Sequence, residues 1–285
     1  MPGCTPRSVF AVVSHPAAEG RRDGSECLLA ARGFAMITVR RAAERYHDAH
    51  RGQDAWQTFH TLLQEEPLAA GFGALESLNE KRLRPGMRIP HRSRDAAEVI
   101  TYVHQGKLAY EDSLGRSGVI QAGEFQRMSI GRGVRRIEVN TSRADGSHIF
   151  QIGLRPLEQG APASEEQRRF CAAERRGLLC VIGSPDGRKG SLRLPLDALL
   201  HSAILDPGQH VVHALAQGRS AWLHIVEGQV SLADFILGAG DGVGVTDDRA
   251  VSLTAREATE LLLLDLPAAR SETAGRSTSP QSLSS

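Results

Sequence analysis

Short runs in which apolar and polar residues alternate recur along the chain, and Gly, Asp or Ser residues bound each run. In the first half they read AEVITYVHQG, KLAYEDS, SGVIQAG, FQRMSIG and HIFQIGLRP, between residues 97 and 156. Alternation with a period of two is the signature of strands with one buried face, and the spacing is typical of a sandwich or barrel. The sequence therefore predicts an all-β fold.

The same pattern occurs a second time after a polar, basic stretch, SEEQRRFCAAERRG (164–177). The second series reads LLCVIG, GSLRLP, LHSAIL, HVVHALA, AWLHIVEGQVSLAD and ELLLLDLP. Two series predict two related barrels, with a first domain over 36–160 and a second over 161–267. Helix is sparse, and DAWQTFHTLLQEE (54–66) is its best candidate, with an irregular loop around Trp56 as the alternative.

The two ends of the chain differ in composition from the middle. Residues 1–35 mix Gly, Pro, Ser and Arg without sustained periodicity, which indicates a flexible extension. Residues 268–285 are rich in Ser and Thr and nearly devoid of apolar groups, so ordering them would not be repaid by burial. We expect a disordered tail there.

Composition excludes some classes of partner. The 34 basic and 33 acidic side chains give a net charge of +1, which leaves no electrostatic footprint for nucleic acid or an anionic membrane. No stretch approaches the roughly 18 consecutive apolar residues that a membrane span needs. The four cysteines contain no CxxC pair, which favours free thiols in a reducing compartment and a cytoplasmic protein.

Several segments, taken in order, resemble the pirin family. They are DAWQTFH (54–60), EVITYVHQGKLAYEDSLGRSGVIQAGEFQRMSIGRGVRRIEVN (98–140), EEQRRF (165–170), SPDGRKGSL (184–192) and ELLLLDLP (260–267). The resemblance extends from about Met36 to Pro267. It implies a bicupin, that is, two cupin (jelly-roll) β-barrels in tandem. It also implies one iron-type site in the first barrel, made by three histidines and a glutamate, and in some members the cleavage of flavonols with dioxygen.

This chain departs from the family at the metal ligands. An alignment without gaps, fixed by Gly86 and Glu98, puts Arg92 and Arg94 where the His-Pro-His element belongs. The later His-x-Glu element falls on Arg136 and Glu138, so that only the glutamate keeps a ligand type.

The physical consequence follows from strand geometry. Positions i and i+2 point the same way, so Arg92 and Arg94 are expected to project with Arg136 and Glu138 into one barrel mouth. Arginine stays protonated and has no lone pair for a metal, and three cations repel a divalent ion. We therefore predict no metal or other cofactor, although the family resemblance implies iron or another divalent metal.

A gap in the alignment offers an alternative. A shift of three residues brings His91 into a ligand position, at the cost of an insertion in a strand. Even then His91 and Glu138 are only two ligands, below the three that catalytic metals usually have. Other motifs read as structural: the four histidines between His201 and His224 lack cupin ligand spacing, and GAGDGVG (238–244) lacks the helix and lysine of a phosphate loop.

Three functional hypotheses remain open from the sequence. In the first, Arg92, Arg94 and Arg136 bind a small anionic or aromatic ligand without a metal, and Glu138 positions them or acts as a general base. The second is a metal-dependent, quercetin 2,3-dioxygenase-like oxidoreductase. The third is a non-catalytic regulatory protein with a protein partner. A decayed site, whose arginines reach solvent around Glu138, is the structural alternative to the first.

Overall fold

A computed structural model describes residues 10–13, 35–50, 53–60, 68–93, 96–156 and 163–268. Most of the predicted N-terminal extension and nearly all of the predicted C-terminal tail lie outside these residues. The described chain is built almost entirely of strands. In chain order they are β1 (Phe10–Val13), β2 (Ala35–Arg40), β3 (Tyr46–His50), β4 (Gln53–Gln57), β5 (Leu75–Leu83), β6 (Arg88–Arg92), β7 (Ala97–Gln105), β8 (Lys107–Asp112), β9 (Ser117–Gln121), β10 (Glu124–Ile130), β11 (Arg135–Val139), β12 (Ser147–Leu154), β13 (Glu165–Arg169), β14 (Cys180–Ser184), β15 (Leu192–Arg193), β16 (Leu199–Leu205), β17 (His210–Ala214), β18 (Arg219–Glu227), β19 (Gln229–Leu232), β20 (Phe235–Gly238), β21 (Gly242–Thr246), β22 (Ala250–Ala255) and β23 (Thr259–Pro267).

The strands form two barrels, each made of a large and a small sheet. The first barrel has a seven-stranded sheet, β13-β10-β7-β12-β5-β4-β3, and a four-stranded sheet, β6-β11-β8-β9. The second has an eight-stranded sheet, β1-β2-β21-β18-β23-β16-β14-β15, and a four-stranded sheet, β17-β22-β19-β20. Helix is limited to α1 (Ala172–Arg175) and two 3-10 turns in the described part. The predicted all-β class, with two cupin barrels in tandem, is confirmed.

The barrels exchange strands at the predicted domain boundaries. Strand β2, assigned from sequence to the first domain, pairs with β21 in the large sheet of the second barrel. Strand β13, assigned to the second domain, pairs with β10 in the first barrel. Within the predicted N-terminal extension, β1 pairs with β2. The boundaries at 36 and 161 therefore do not separate the sheets, because strand pairing is long-range.

Apolar side chains form three clusters. One fills the interior of the first barrel around Leu108 and Ile120, and another fills the second barrel around Leu223 and Leu263. The third lies between the large sheets and includes Trp222. Both faces of the large sheets are thus buried, which joins the barrels through a shared core.

The best helix candidate from the sequence is wrong in its first part. Residues 53–57 form β4, which pairs with β3 and β5, and the Trp56 ring stacks on His47 at 4.7 Å. Cross-strand aromatic packing of this kind outweighs a weak helical pattern. Residues 61–67 of the candidate lie outside the described part.

Two further findings bear on the sequence predictions. Within the described residues, none of the helices has the length and apolar character needed to cross a membrane. Cys171 and Cys180 are free thiols, as predicted, whereas Cys4 and Cys27 lie outside the described residues.

We expect Gly242→Ala to destabilise the protein through the inter-barrel core. A Cβ atom at this position on β21 would lie 2.4 Å from Cζ2 of the Trp222 ring. Overpacking of a buried site costs about 1–3 kcal/mol in the free energy of unfolding. Urea unfolding should show this loss, while Gly238→Ala, whose Cβ meets nothing within 4 Å, serves as the control. Equal stability of the two variants would contradict the packing argument.

Candidate functional site

The interior of the first barrel holds a buried carboxylate on β11. Glu138 and Arg136 both point inward, whereas their neighbours Arg135 and Ile137 point outward, as expected for alternate strand positions. Strand β6 pairs with β11 so that Ile89 lies opposite Glu138. The predicted inward direction of Arg136 and Glu138 is therefore confirmed.

The register of β6 corrects the expected convergence of arginines. His91, and not Arg92, lies opposite Arg136, so His91 shares the inner face. Arg92 is exposed on the outer face, where it lies opposite Arg135. The expectation that Arg92 enters the barrel mouth is wrong, because a change of one residue in register moves a side chain to the opposite face. Arg94 lies outside the described residues.

A lysine that the sequence analysis missed occupies the centre of the site. Lys81 on β5 points into the first barrel, and its Nζ lies 3.0 Å from Nε2 of His91 and 3.6 Å from Oε2 of Glu138. Nζ also donates a hydrogen bond of 2.6 Å to Oε1 of Gln151. The sequence did contain a signal for this lysine. Lys81 occurs two residues before Leu83, and positions two apart on a strand face the same side, so an inward-facing Leu83 implies an inward-facing Lys81.

Glu138 is the point at which these groups meet. Oε1 accepts a 2.7 Å hydrogen bond from Nε2 of Gln151 and lies 3.2 Å from Nε of Arg136. Oε2 lies 3.2 Å from Nε2 of His91. Burial raises the pKa of this carboxyl, but the charge of Lys81 and the contacts with His91 and Arg136 outweigh it and hold the pKa well below its usual range. Glu138 is thus ionised at neutral pH.

The two buried cations are held differently. Arg136 lies over the Tyr110 ring, 4.2 Å from its centroid, and its Nη2 donates to Oε1 of Gln126 over 3.3 Å. Lys81 is fully enclosed, and burial lowers its pKa while the charge of Glu138 opposes that shift. Lys81, Arg136 and Glu138 are nearly inaccessible to solvent, whereas 40% of the His91 side chain is exposed. His91 therefore lies between the buried charges and the solvent.

The site does not fit a divalent metal. Its ordinary ligand types are His91 and Glu138, the pair left by the gapped alignment, and the lysine ammonium lies between them and Gln151. Among the described side chains of the site, a metal would meet two cations and only two usual ligands. Across the described residues, no group of three or more His, Cys, Asp or Glu side chains is arranged to hold a metal ion.

Histidines of the second barrel form a separate polar cluster. His213 lies 2.8 Å from Asp265, whose other oxygen accepts a 2.6 Å hydrogen bond from Arg219. The His201 and His213 rings lie 4.7 Å apart, and burial lowers the pKa of His201 to about 4. This cluster is an internal hydrogen-bonded network rather than a ligand set.

Comparison with known families decides the membership of the chain. Residues 38–154 match the sequence profile of Pirin, and residues 181–266 match the profile described as the quercetinase C-terminal cupin domain. The chain is also 36% identical to quercetin 2,3-dioxygenase of Escherichia coli K12, covering 81% of this chain and 99% of that protein. The chain belongs to the pirin family.

Other pirins and solved structures agree with this assignment. A pirin-like protein of Caulobacter vibrioides is 32% identical and covers 70% of this chain and 86% of its own length. The crystal structure of YhhW from Escherichia coli covers 83% of this pirin and all of its own chain, at 34% identity and a TM-score of 0.74. YhhW in complex with nickel(II) gives a TM-score of 0.73 at 35% identity, covering 82% of this pirin and all of its own chain.

Proposed function

We propose that this pirin binds a small anionic or phenolic molecule in its first barrel without a metal. The observation that carries the proposal is the position of the Lys81 ammonium, within hydrogen-bond distance of His91 and Gln151 and 3.6 Å from Glu138. A cation of the chain itself thus lies beside His91 and Glu138, the two candidate metal ligands of the gapped alignment. Lys81 replaces Arg92 in the predicted set of ligand-binding residues, and Arg136 remains in it.

The charge of the site favours an anion. With Lys81 protonated, Lys81 and Arg136 oppose the single carboxylate of Glu138, which leaves one positive charge in excess. Because all three are buried, this charge is weakly screened by solvent. Oε2 of Glu138 and Nε of Arg136 make no well-aligned hydrogen bond with a described residue, so the existing contacts do not fully satisfy the site.

The residues differ in the chemistry they can perform. Glu138 has a pKa well below its usual range, which makes it a poor base at neutral pH and supports its alternative role of positioning the cations. His91 is the partly exposed imidazole beside it and is the group best placed to form a hydrogen bond with a phenolic hydroxyl. Arg94 lies outside the described residues, and we retain the hypothesis that it contacts the ligand.

Metal content is the first test of the proposal. We expect elemental mass spectrometry to find far less than one metal per chain, both as purified and after anaerobic loading with Fe²⁺ or Ni²⁺. About one metal per chain, lost in Glu138→Ala, would instead support quercetin 2,3-dioxygenase-like chemistry. That second function is favoured by the 36% identity to the Escherichia coli enzyme of that name.

Binding of salicylate, which carries a carboxylate and a phenol, is the second test. Calorimetric titration should show saturable binding to the metal-free protein, and Lys81→Gln should weaken it about tenfold or more, as expected for loss of a charged hydrogen bond. Lys107→Gln, on β8 and outside the described contacts of the site, should bind like the wild type. Absence of saturable binding, or equal binding by Lys81→Gln, would contradict the proposal.

A further inference from the structure

The outer face of the small sheet of the first barrel, β6-β11-β8-β9, carries an excess of positive charge. Side chains alternate along each strand, so every second one points away from the barrel interior. The charged members of this outward set are four cations and one carboxylate, namely Arg88, Arg92, Arg135, Lys107 and Glu111. We call this surface the basic face. It contrasts with the whole chain, whose net charge is only +1.

Two arginines of the basic face lie directly opposite each other. Arg92 on β6 is the cross-strand partner of Arg135 on β11, and both side chains are exposed. Like charges in this arrangement repel each other and destabilise a sheet. Neither guanidinium forms an ion pair or hydrogen bond with any residue that the structure describes, and the same holds for Arg88. The repulsion is therefore not compensated within the described chain.

The carboxylates of the same four strands do not supply the missing counter-charge. Asp112 and Glu138 point into the barrel, where Arg116 and Lys81 engage them. Glu111 points outward on β8, but it makes no ion pair with any described residue. The positive charge of the basic face is thus open to a partner from outside.

Apolar side chains lie between the cations of the basic face. Pro90 separates Arg88 from Arg92 along β6, and its cross-strand partner Ile137 is 37% exposed. On β9, Val119 is 44% exposed. Arginine beside exposed aliphatic groups suits a protein partner. Surfaces that bind single-stranded nucleic acid add aromatic side chains for base stacking, and the outward-facing side chains of these four strands include none.

The spacing of the basic face fits an extended segment that lies across it. Strand β6 is an edge of the sheet, but Pro90 in its middle has no N–H to donate to an added strand. Arg88 and Arg92 are four positions apart on one strand, which corresponds to about 13 Å. A segment in the same extended form matches this distance when two acidic residues are four positions apart. The residue midway between them then faces Pro90 and Ile137.

We propose that the basic face binds an extended acidic segment of a partner protein. One carboxylate binds between Arg92 and Arg135 and removes their repulsion, and a second, four positions away, binds Arg88. An apolar residue midway contacts Pro90 and Ile137. A second copy of the chain would bring an equal positive charge, so the two basic faces do not pair with each other. The proposal is independent of the function proposed for the barrel interior, because its residues lie on the opposite side of the small sheet.

Fluorescence anisotropy tests the proposal with the full chain and a labelled peptide that contains Glu-Thr-Ile-Thr-Glu between glycines. We expect saturable binding that weakens as NaCl rises from about 50 to about 300 mM. The peptide with Lys in place of both Glu should not bind, and the peptide with Ser in place of Ile should bind several-fold more weakly. An oligothymidylate of similar length should bind more weakly than the acidic peptide. Salicylate, the probe of the barrel interior, should not displace the peptide.

Variants at exposed positions separate the proposed contacts. Arg92→Glu should weaken binding about tenfold or more, since the new carboxylate also neutralises Arg135. Arg256→Glu, at an exposed arginine of the second barrel, should bind like the wild type. Ile137→Thr should weaken binding of the Ile peptide but not of the Ser peptide. Absence of saturable binding, full binding by Arg92→Glu, or tighter binding of oligothymidylate than of the acidic peptide would overturn the proposal.

Discussion

Glu138→Gln is expected to lower the free energy of unfolding by about 3–5 kcal/mol, because it leaves two buried cations without a counter-charge. Lys81 and Arg136 lie 3.6 Å and 3.2 Å from the carboxylate, and neither side chain reaches solvent to an appreciable extent. The amide of Gln keeps the shape of the side chain but cannot neutralise either cation. Chemical unfolding in urea at pH 7 measures the loss.

Two further variants isolate the charge from the shape of the site. Glu111→Gln, at an exposed position of β8 on the same small sheet, should change stability by no more than about 0.5 kcal/mol. In the Glu138→Gln background, Lys81→Met removes one of the two unpaired buried cations. It should therefore restore part of the lost free energy of unfolding. A small effect of Glu138→Gln, or a further loss in the double variant, would show that Glu138 does not balance these cations.

His224→Phe is expected to make the protein less sensitive to acid. His224 is fully buried between the barrels, neither ring nitrogen has a hydrogen-bond partner among the described residues, and the ring packs 5.7 Å from Phe150. Burial, followed by the charge of Arg45, lowers its pKa from 6.5 to about 3. Below pH 6.5 the His224 ring is therefore protonated in the unfolded chain but stays neutral in the folded chain. The free energy of unfolding consequently falls as the pH decreases toward 3.

Phenylalanine fills a similar volume but cannot bind a proton, so it removes the dependence of stability on the protonation of residue 224. Between pH 7.5 and pH 4.5, the stability difference between variant and wild type should move by about 2–3 kcal/mol in favour of His224→Phe. The lowered pKa of His201 is common to both proteins and cancels. Urea unfolding at the two pH values measures the shift, with the exposed His210→Phe as the control. The same pH dependence of the free energy of unfolding in wild type and His224→Phe would contradict the lowered pKa of His224.

The large sheet of the first barrel carries buried charged groups on both of its faces. Both faces of the large sheet of the first barrel are buried, so β5 carries Lys81 into the barrel interior and Glu80 into the inter-barrel region. Each buried charge is matched by groups from other strands, namely Glu138 for Lys81 and Arg45 with His148 for Glu80. Such charges are stable only as complete networks, which is why single substitutions are expected to have large effects.

The sequence by itself determined the fold class, the family and part of the site. Alternation with a period of two fixed the strands, and the GVRRIEVN segment placed Arg136 and Glu138 on one face, because i and i+2 positions on a strand share a side. The residue types at the aligned ligand positions also led to the prediction of a site without a metal, which stays a prediction. These conclusions depend on strand alternation and on residue type, which are local properties that can be read directly from the sequence.

The tertiary structure alone decided which side chains meet. Pairing of β6 with β11 put His91 inside and Arg92 outside, a difference of one residue that no local pattern specifies. Lys81 reaches Glu138 from a strand more than fifty residues earlier, β2 and β13 cross to the other barrel, and the His104–Glu260 contact joins the two barrels. Contacts between residues far apart in sequence depend on strand order and register, and therefore only the folded structure reveals them.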